Sequence, residues 1–304
     1  MAFHPPVAIV AKAGDAGKYK TGLPSWNMVL RGFFSGAYIA MGAGLATVCS
    51  TGIMAGTAAT NAGFVNAGFA AAGISQLILG AVFPVGLIIT ILTGAELFTG
   101  DAMLAPVAAF IHKVSWVNVL NLWVWVYIGN LIGSVTWAYI MANGPYCSIS
   151  ATGSITATAF GVRAVQIALA KVSYFGTAGI WSAFLKGIGC NWLVNLAVLL
   201  GICADDLIGK FFGIWFPIMA FVSSGLEHSI ANMMFIPAGI LTSAYLTADQ
   251  ITTLGGAEKL ATLNWVTMWT NNIIPVTIGN IIGGMIFVGL LYWIAFRKEI
   301  QALK

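Results

Sequence analysis

Glu227 and His228 stand side by side in Ser224-Gly225-Leu226-Glu227-His228-Ser229-Ile230-Ala231-Asn232, between the apolar runs Phe211–Val222 and Met233–Ile236. An imidazole with an unperturbed pKa of about 6.5 takes up and gives back a proton near neutrality, and a carboxylate beside it can pair or accept hydrogen bonds. A charged side chain at the centre of a spanning helix costs about 2.5–3.5 kcal/mol, so such groups face a protein interior or a water-filled path. Ser223, Ser224 and Gly225 point to an interruption of the helix just before the pair. Irregular backbone at membrane depth is tolerated where it lines a cavity or is buried in protein. The stretch reads as the selectivity element of a pore.

The same arrangement occurs earlier in the chain. Gly94-Ala95-Glu96-Leu97-Phe98-Thr99-Gly100-Asp101-Ala102-Met103 aligns without a gap on Gly225 to Met234, matching Gly94 with Gly225, Glu96 with Glu227 and Asp101 with Asn232. Leu30-Arg31-Gly32 pairs with Leu185-Lys186-Gly187, and Ile128-Gly129-Asn130 with Ile278-Gly279-Asn280, in the same order. The halves therefore repeat three spans at a time. An odd number of spans turns the second half over, giving an inverted repeat, and paired interrupted segments are the sequence mark of a transport site.

Composition sets the solvent. Hydrophobic residues make up 59% and charged residues 7% of 304, against about 25% charged in soluble domains. The chain reads as a single transmembrane domain over 1–304, all-α and polytopic. The first 25 residues hold Lys12, Asp15, Lys18 and Lys20 and no apolar signal-peptide core. The net charge of +4 lies mostly at the ends of spans and speaks for topology, not for nucleic-acid binding. Cys49, Cys147, Cys190 and Cys203 are scattered, so neither a metal site nor a disulfide framework is expected, and no cofactor is called for.

An N-terminal segment, 1–26, with Val7 to Ala11 available to lie at the membrane interface, precedes the first repeat at 27–141. That repeat holds spans from about Met28 to Cys49, Gly73 to Ile111 with a break over 93–101, and Trp116 to Met141. An extracytoplasmic connection, 142–176, leads to the inverted repeat at 177–296, with spans from about Trp181 to Cys203, Phe211 to Ala244 with a break near Gly225, and Trp269 to Phe296; 297–304 is a tail. Six spans, of which the second and fifth are broken, place both termini on one face. That face carries Lys12, Lys18, Lys20, Arg31, Lys113, Lys210, Arg297, Lys298 and Lys304, against Arg163, Lys171, Lys186 and Lys259 on the other. The bias puts both termini in the cytoplasm of a cell-membrane protein. Arg31 and Lys186 read as snorkelling anchors, Asn130 as an interhelical hydrogen-bonding group, and His4 and His112 as solvent-exposed.

At Ser224–Asn232, Leu97-Phe98-Thr99 and Pro275-Val276-Thr277-Ile278-Gly279-Asn280, and again at Cys190-Asn191-Trp192-Leu193-Val194 and Ala11-Lys12-Ala13 to Gly17-Lys18-Tyr19-Lys20, the chain closely resembles the formate/nitrite transporter family of monovalent-anion channels. The resemblance covers nearly the whole chain. It implies an aquaporin-like fold of two inverted three-helix halves, a homopentamer with one pore per protomer, and formate as substrate, with nitrite, hydrosulfide or a short monocarboxylate as the alternative. It makes His228 the central pore histidine, with Thr99 facing it, and Asn191 and Asn280 a polar pair nearby. It assigns Phe83, Leu87, Leu97, Phe98, Val194 and Phe221 to apolar constrictions. Lys171 reaches the place of the family's vestibule lysine only with a few residues inserted before Asn191.

Desolvation between constrictions favours a neutral histidine and an entering anion favours a protonated one. Anion entry is therefore expected to couple to proton donation from His228; the rival is an electrostatic selector that exchanges no proton. Glu96 and Glu227 are expected to support the breaks, with Gly94 and Gly225, by accepting orphan backbone N–H groups at the half-helix starts. Those helix N-termini suit an anion. An aquaporin-like neutral-solute channel would fit the repeat, but the paired Asn-Pro-Ala motifs are absent. An enzyme or haem carrier lacks any paired intramembrane histidines or a nucleotide or metal motif.

Overall fold

The computed structural model describes residues 3–53 and 65–302. Two groups of helices related by the internal repeat make up the fold. In the first, α1 (Pro6–Thr21) is followed by α2 (Ser25–Cys49), α3 (Val65–Val82), α4 (Val85–Thr93), α5 (Phe98–Phe110) and α6 (Trp116–Asn143). A short hairpin of β1 (Cys147–Ile149) and β2 (Ile155–Ala157) leads to the second group. This comprises α7 (Ala159–Val172), α8 (Gly176–Cys203), α9 (Leu207–Ser223), α10 (Ser229–Ser243), the short α11 (Ala248–Thr253) and α12 (Gly256–Ala261), and α13 (Trp265–Ala302). The long apolar helices α2, α6, α8, α13 and the stretch Gly73–Thr93 are each long enough to cross a membrane, and α5, α9 and α10 are shorter apolar pieces. The spans are thus α2, α3–α5, α6, α8, α9–α10 and α13, the architecture of an all-α polytopic membrane protein.

Close helix crossings tie each group together at matched positions. A Cβ on Gly32 would lie 2.8 Å from the Val126 carbonyl, and one on Gly129 2.3 Å from that of Val29, so α2 and α6 touch backbone to backbone. The second group repeats the crossing: a Cβ on Gly187 would meet the Val276 carbonyl at 2.7 Å, and one on Gly279 that of Phe184 at 2.3 Å. Lipid supplies no hydrophobic force between helices, and small residues at the crossing let van der Waals contact hold them instead.

The segments flanking these crossings differ from the sequence expectation. The N-terminal segment, described from residue 3, does not lie free at an interface: Val10, Ala13, Gly14 and Gly17 of α1 are buried against α5 and α13. The second span begins by Val65 rather than Gly73, and residues 54–64 of the expected 50–72 connection lie outside the described residues. The connection 142–176 is not merely a linker: its α7 buries Ala164, Val165, Ala168 and Leu169 and packs on α10 as α1 packs on α5. His4 Nε2 lies 2.6 Å from Asp205 Oδ1 and 2.5 Å from Lys12 Nζ, so the half-buried ring is partnered through one or the other, whereas His112 is exposed.

Candidate functional site

Both breaks are built alike. After α4 the chain turns through Gly94 at φ 75°, and after α9 through Gly225 at φ 70°, a left-handed conformation that costs glycine nothing. The next N–H closes a wide turn, Ala95 to the Thr90 carbonyl (3.0 Å) and Leu226 to the Phe221 carbonyl (3.1 Å). Glu96 N–H then donates to the carbonyl of Arg31, and Glu227 N–H to that of Lys186.

The orphan donors at the half-helix starts are met by asparagines, not by the carboxylates. Asn130 Oδ1 accepts from Phe98 N–H (3.0 Å), while its Nδ2 donates to the Gly32 (2.8 Å) and Glu96 (2.9 Å) carbonyls. Asn280 Oδ1 accepts from Ser229 N–H (2.9 Å), and its Nδ2 donates to Gly187 (2.8 Å) and Glu227 (3.0 Å). The expectation that Glu96 and Glu227 themselves take backbone N–H groups is thereby corrected. A short amide presents an acceptor and two donors together, which a carboxylate cannot. Asn280, expected to face the pore, is consumed by this brace. Asn191 donates to the carbonyls of Thr99 (3.0 Å) and Asn280 (2.6 Å), and Asn195 donates to the same Thr99 carbonyl (3.1 Å).

The buried carboxylates are ion-paired instead. Lys171 Nζ reaches both oxygens of Glu227 at 2.9 Å; Tyr174 donates at 2.8 Å, Asn232 at 2.6 Å and Asn272 at 3.3 Å. Burial and the adjacent Glu227 carboxylate push the Tyr174 phenol upward, so it remains a donor. Asn272 sits in a wide-wound stretch of α13, Met268–Ile273, which carries it toward Glu227. In the first half, Lys20 of α1 bonds Glu96 and lies 3.0 Å from Asp101, and Arg31 lies 3.6 Å from Glu96. Arg31 also bonds Tyr19 (3.1 Å) as Lys186 bonds Tyr174 (2.9 Å), so neither cation is a simple snorkelling anchor.

His228 caps α10. Its Nδ1 accepts from Ala231 N–H (3.0 Å), which leaves the proton of a neutral ring on Nε2, 2.9 Å from Thr99 Oγ1. The imidazole is 3% exposed and lies against Phe221, ring centroids 5.8 Å apart; Phe221 meets Phe83 edge-on at the same separation.

Two cavities approach this point from opposite ends of α8. One, of about 540 Å³, is lined by Phe83, Phe221, Gly225, Glu227, His228, Lys171 and Lys186. The other, of about 270 Å³, is lined by Leu87, Gly94, Glu96, Leu97, Val198, Lys20 and Arg31. Matched residues of the two breaks therefore face opposite mouths, with Leu97 where the other half has His228. Lys171, placed uncertainly by spacing, lines the first cavity. Val194 is buried and lines neither; Val198, one turn on, does. Phe98 turns away from the pore and meets Tyr127 (4.8 Å) and Trp123 (6.0 Å) edge-on, because its N–H is held by Asn130 and the next residue, Thr99, takes the His228 side. Sequence reasoning missed Lys20, Tyr174, Asn272 and Asn195 as site residues. Among the described residues no cluster of His, Cys, Asp or Glu could hold a metal.

Two inverted broken spans meeting at a buried histidine hydrogen-bonded to Thr99, with a cavity lined by one break on one side and a cavity lined by the other break on the other, define a membrane transporter or channel for a small solute. The chain matches the formate/nitrite transporter family model over residues 7–294. It belongs to that family, and so to transporters rather than enzymes. It is 41% identical to a probable formate transporter of Methanothermobacter thermautotrophicus over 96% of this chain and 97% of the relative. It is 36% identical to the formate channel FocA of Escherichia coli K12 over 75% of this chain and 76% of the relative. A solved pentameric formate channel with formate bound superposes with a TM-score of 0.71 at 31% identity, covering 90% of this chain and 98% of that one.

Proposed function

We propose that the chain carries formate across the cell membrane, both termini cytoplasmic, as a homopentamer with a pore in each protomer, and that His228 exchanges a proton with the anion in passage. The observation that carries this reading is the His228–Thr99 pair, buried between the two cavities: His228 lines the larger one, and Leu97 and Gly100, on either side of Thr99 in the chain, line the smaller. An anion entering the larger cavity meets Lys171 and Lys186 first, then the Nε2–H of His228. Charge-assisted hydrogen bonding to a carboxylate is about twice as strong as a neutral bond. A second proton, taken up on Nδ1 from the entry-side solution through the larger cavity that His228 lines, opens the cap on Ala231, which costs about 1 kcal/mol; the anion–imidazolium contact offsets it, and donation from Nε2 returns the ring to its neutral state. With the Nε2 proton transferred, a neutral acid crosses Leu87 and Leu97, where an anion would face the full cost of desolvation. The named relatives that carry formate support it as substrate; nitrite, of the same charge and similar size, is the alternative.

The test is uptake of labelled formate into proteoliposomes, with nitrite as competitor and with pH gradient and voltage set separately, for the wild type and His228→Asn. Accumulation driven by an inward proton gradient at zero voltage, and lost in the variant, is the expected result. Flux that follows voltage alone makes His228 a selector without proton exchange. Nitrite flux without formate flux reassigns the substrate.

A further inference from the structure

The repeat gives the two mouths of the pore matched ion networks, and this makes one departure from symmetry visible. Each cavity is lined by three cations: Lys20, Arg31 and Lys210 on the α1 side, Arg163, Lys171 and Lys186 on the α7 side. The α7 side holds one carboxylate, Glu227, and the amide of Asn232 supports it at 2.6 Å. At the position matched to Asn232 the α1 side has Asp101, fully buried and 3.0 Å from Lys20. Lys20 therefore serves two carboxylates where Lys171 serves one. Arg31 also lies within 3.6 Å of a carboxylate, whereas Lys186 has no carboxylate partner among the described residues. By formal charge the α7-side lining is 3 − 1 = +2 and the α1-side lining 3 − 2 = +1.

We infer that Asp101 sets the sidedness of transport, making the α7 mouth the high-affinity entrance for a small anion and the α1 mouth the low-affinity, high-capacity one. The inference rests on the anion-transport reading above. One unit charge within about 10 Å, in surroundings between water and protein, changes anion occupancy about three- to tenfold. A protein that only equilibrates its solute must have equal kcat/KM in the two directions under identical solutions. The mouth with the lower KM consequently also has the lower maximal rate. Entry through the α7 mouth then saturates at low outside concentration, while exit through the α1 mouth keeps rising as anion accumulates within.

The experiment is zero-trans flux of labelled formate in both directions, in proteoliposomes selected for one orientation by an impermeant tag on the N-terminal face. The wild type is expected to show a KM about three- to tenfold higher from the α1 side. Asp101→Asn, close to isosteric, lowers both KM and maximal rate from that side by the same factor and leaves the α7-side KM in place. Lys186→Gln, at a half-exposed cation with no carboxylate partner, removes the asymmetry from the other face by raising the α7-side KM. Equal KM values in the wild type, or an α1-side KM that Asp101→Asn leaves unchanged, overturn the inference while flux itself upholds the transport reading. Absence of flux in either direction overturns the transport reading and the inference with it.

Discussion

Replacing Asn280 with alanine removes the brace of the second break and, with it, three hydrogen bonds of 2.9, 2.8 and 3.0 Å. The carbonyls of Gly187 and Glu227 each retain a second lone pair, so losing those two bonds costs about 1 kcal/mol apiece. Ser229 N–H is different. It is the first donor of α10, has no partner within the helix, and is left unpaired in a buried site at a cost of about 1–3 kcal/mol. The sum is about 3–5 kcal/mol, and at about 1.4 kcal/mol per factor of ten the lower bound is more than a hundredfold in the local opening equilibrium. Hydrogen exchange read by mass spectrometry on peptides covering 224–232 should show that acceleration, with exchange on α6 unchanged. Asn130→Ala, which removes the matched bonds of 3.0, 2.8 and 2.9 Å, should produce a similar effect over 94–101. Exchange in both variants within a factor of three of wild type would refute the bracing argument. So would an effect in one break only, because the argument rests on the two being equivalent.

Thr99→Val keeps the shape and removes the hydroxyl 2.9 Å from His228, so formate flux should fall about fivefold, the worth of one hydrogen bond of about 1 kcal/mol, with a melting temperature lowered by a few degrees at most. Lys171→Met strands the nearly buried Glu227 and should destabilise by about 3–5 kcal/mol; adding Glu227→Gln should recover much of the melting temperature. Gly36→Leu forces a Cβ to within 2.1 Å of the Asn130 carbonyl, so α2 and α6 must separate, and loss of folded protein on size exclusion in detergent is expected. Phe221→Ala deletes the ring lying on His228 and on Phe83 and should raise the permeation of larger monocarboxylates relative to formate, read as a flux ratio.

Much of this protein was settled by residue type and order alone. Lipid punishes unpaired backbone so severely that long apolar runs can only be spanning helices, and an odd number of repeated spans has to invert. Gly94 and Gly225, each followed two residues later by glutamate, located both breaks, whereas the alignment sets Leu97 against His228 and the pairing of Thr99 with His228 came from the family resemblance. The tertiary structure decided what each side chain is paired with. Lys20 and Lys171 play the same part, yet they stand eleven residues before Arg31 and fifteen before Lys186, so no ungapped repeat relates them. They become equivalent only when α1 docks on α5 and α7 on α10. Phe98 and Thr99 are neighbours in sequence, but which of them faces His228 follows from Asn130, a residue from another helix, fixing the first turn of α5. The same is true of Glu96 and Glu227: the sequence shows buried carboxylates, and the lysines and amides brought in by distant segments determine that they are ion-paired rather than backbone caps. Sequence specifies local conformation and burial, whereas a polar group's partner is chosen by whichever element packing brings within about 3 Å.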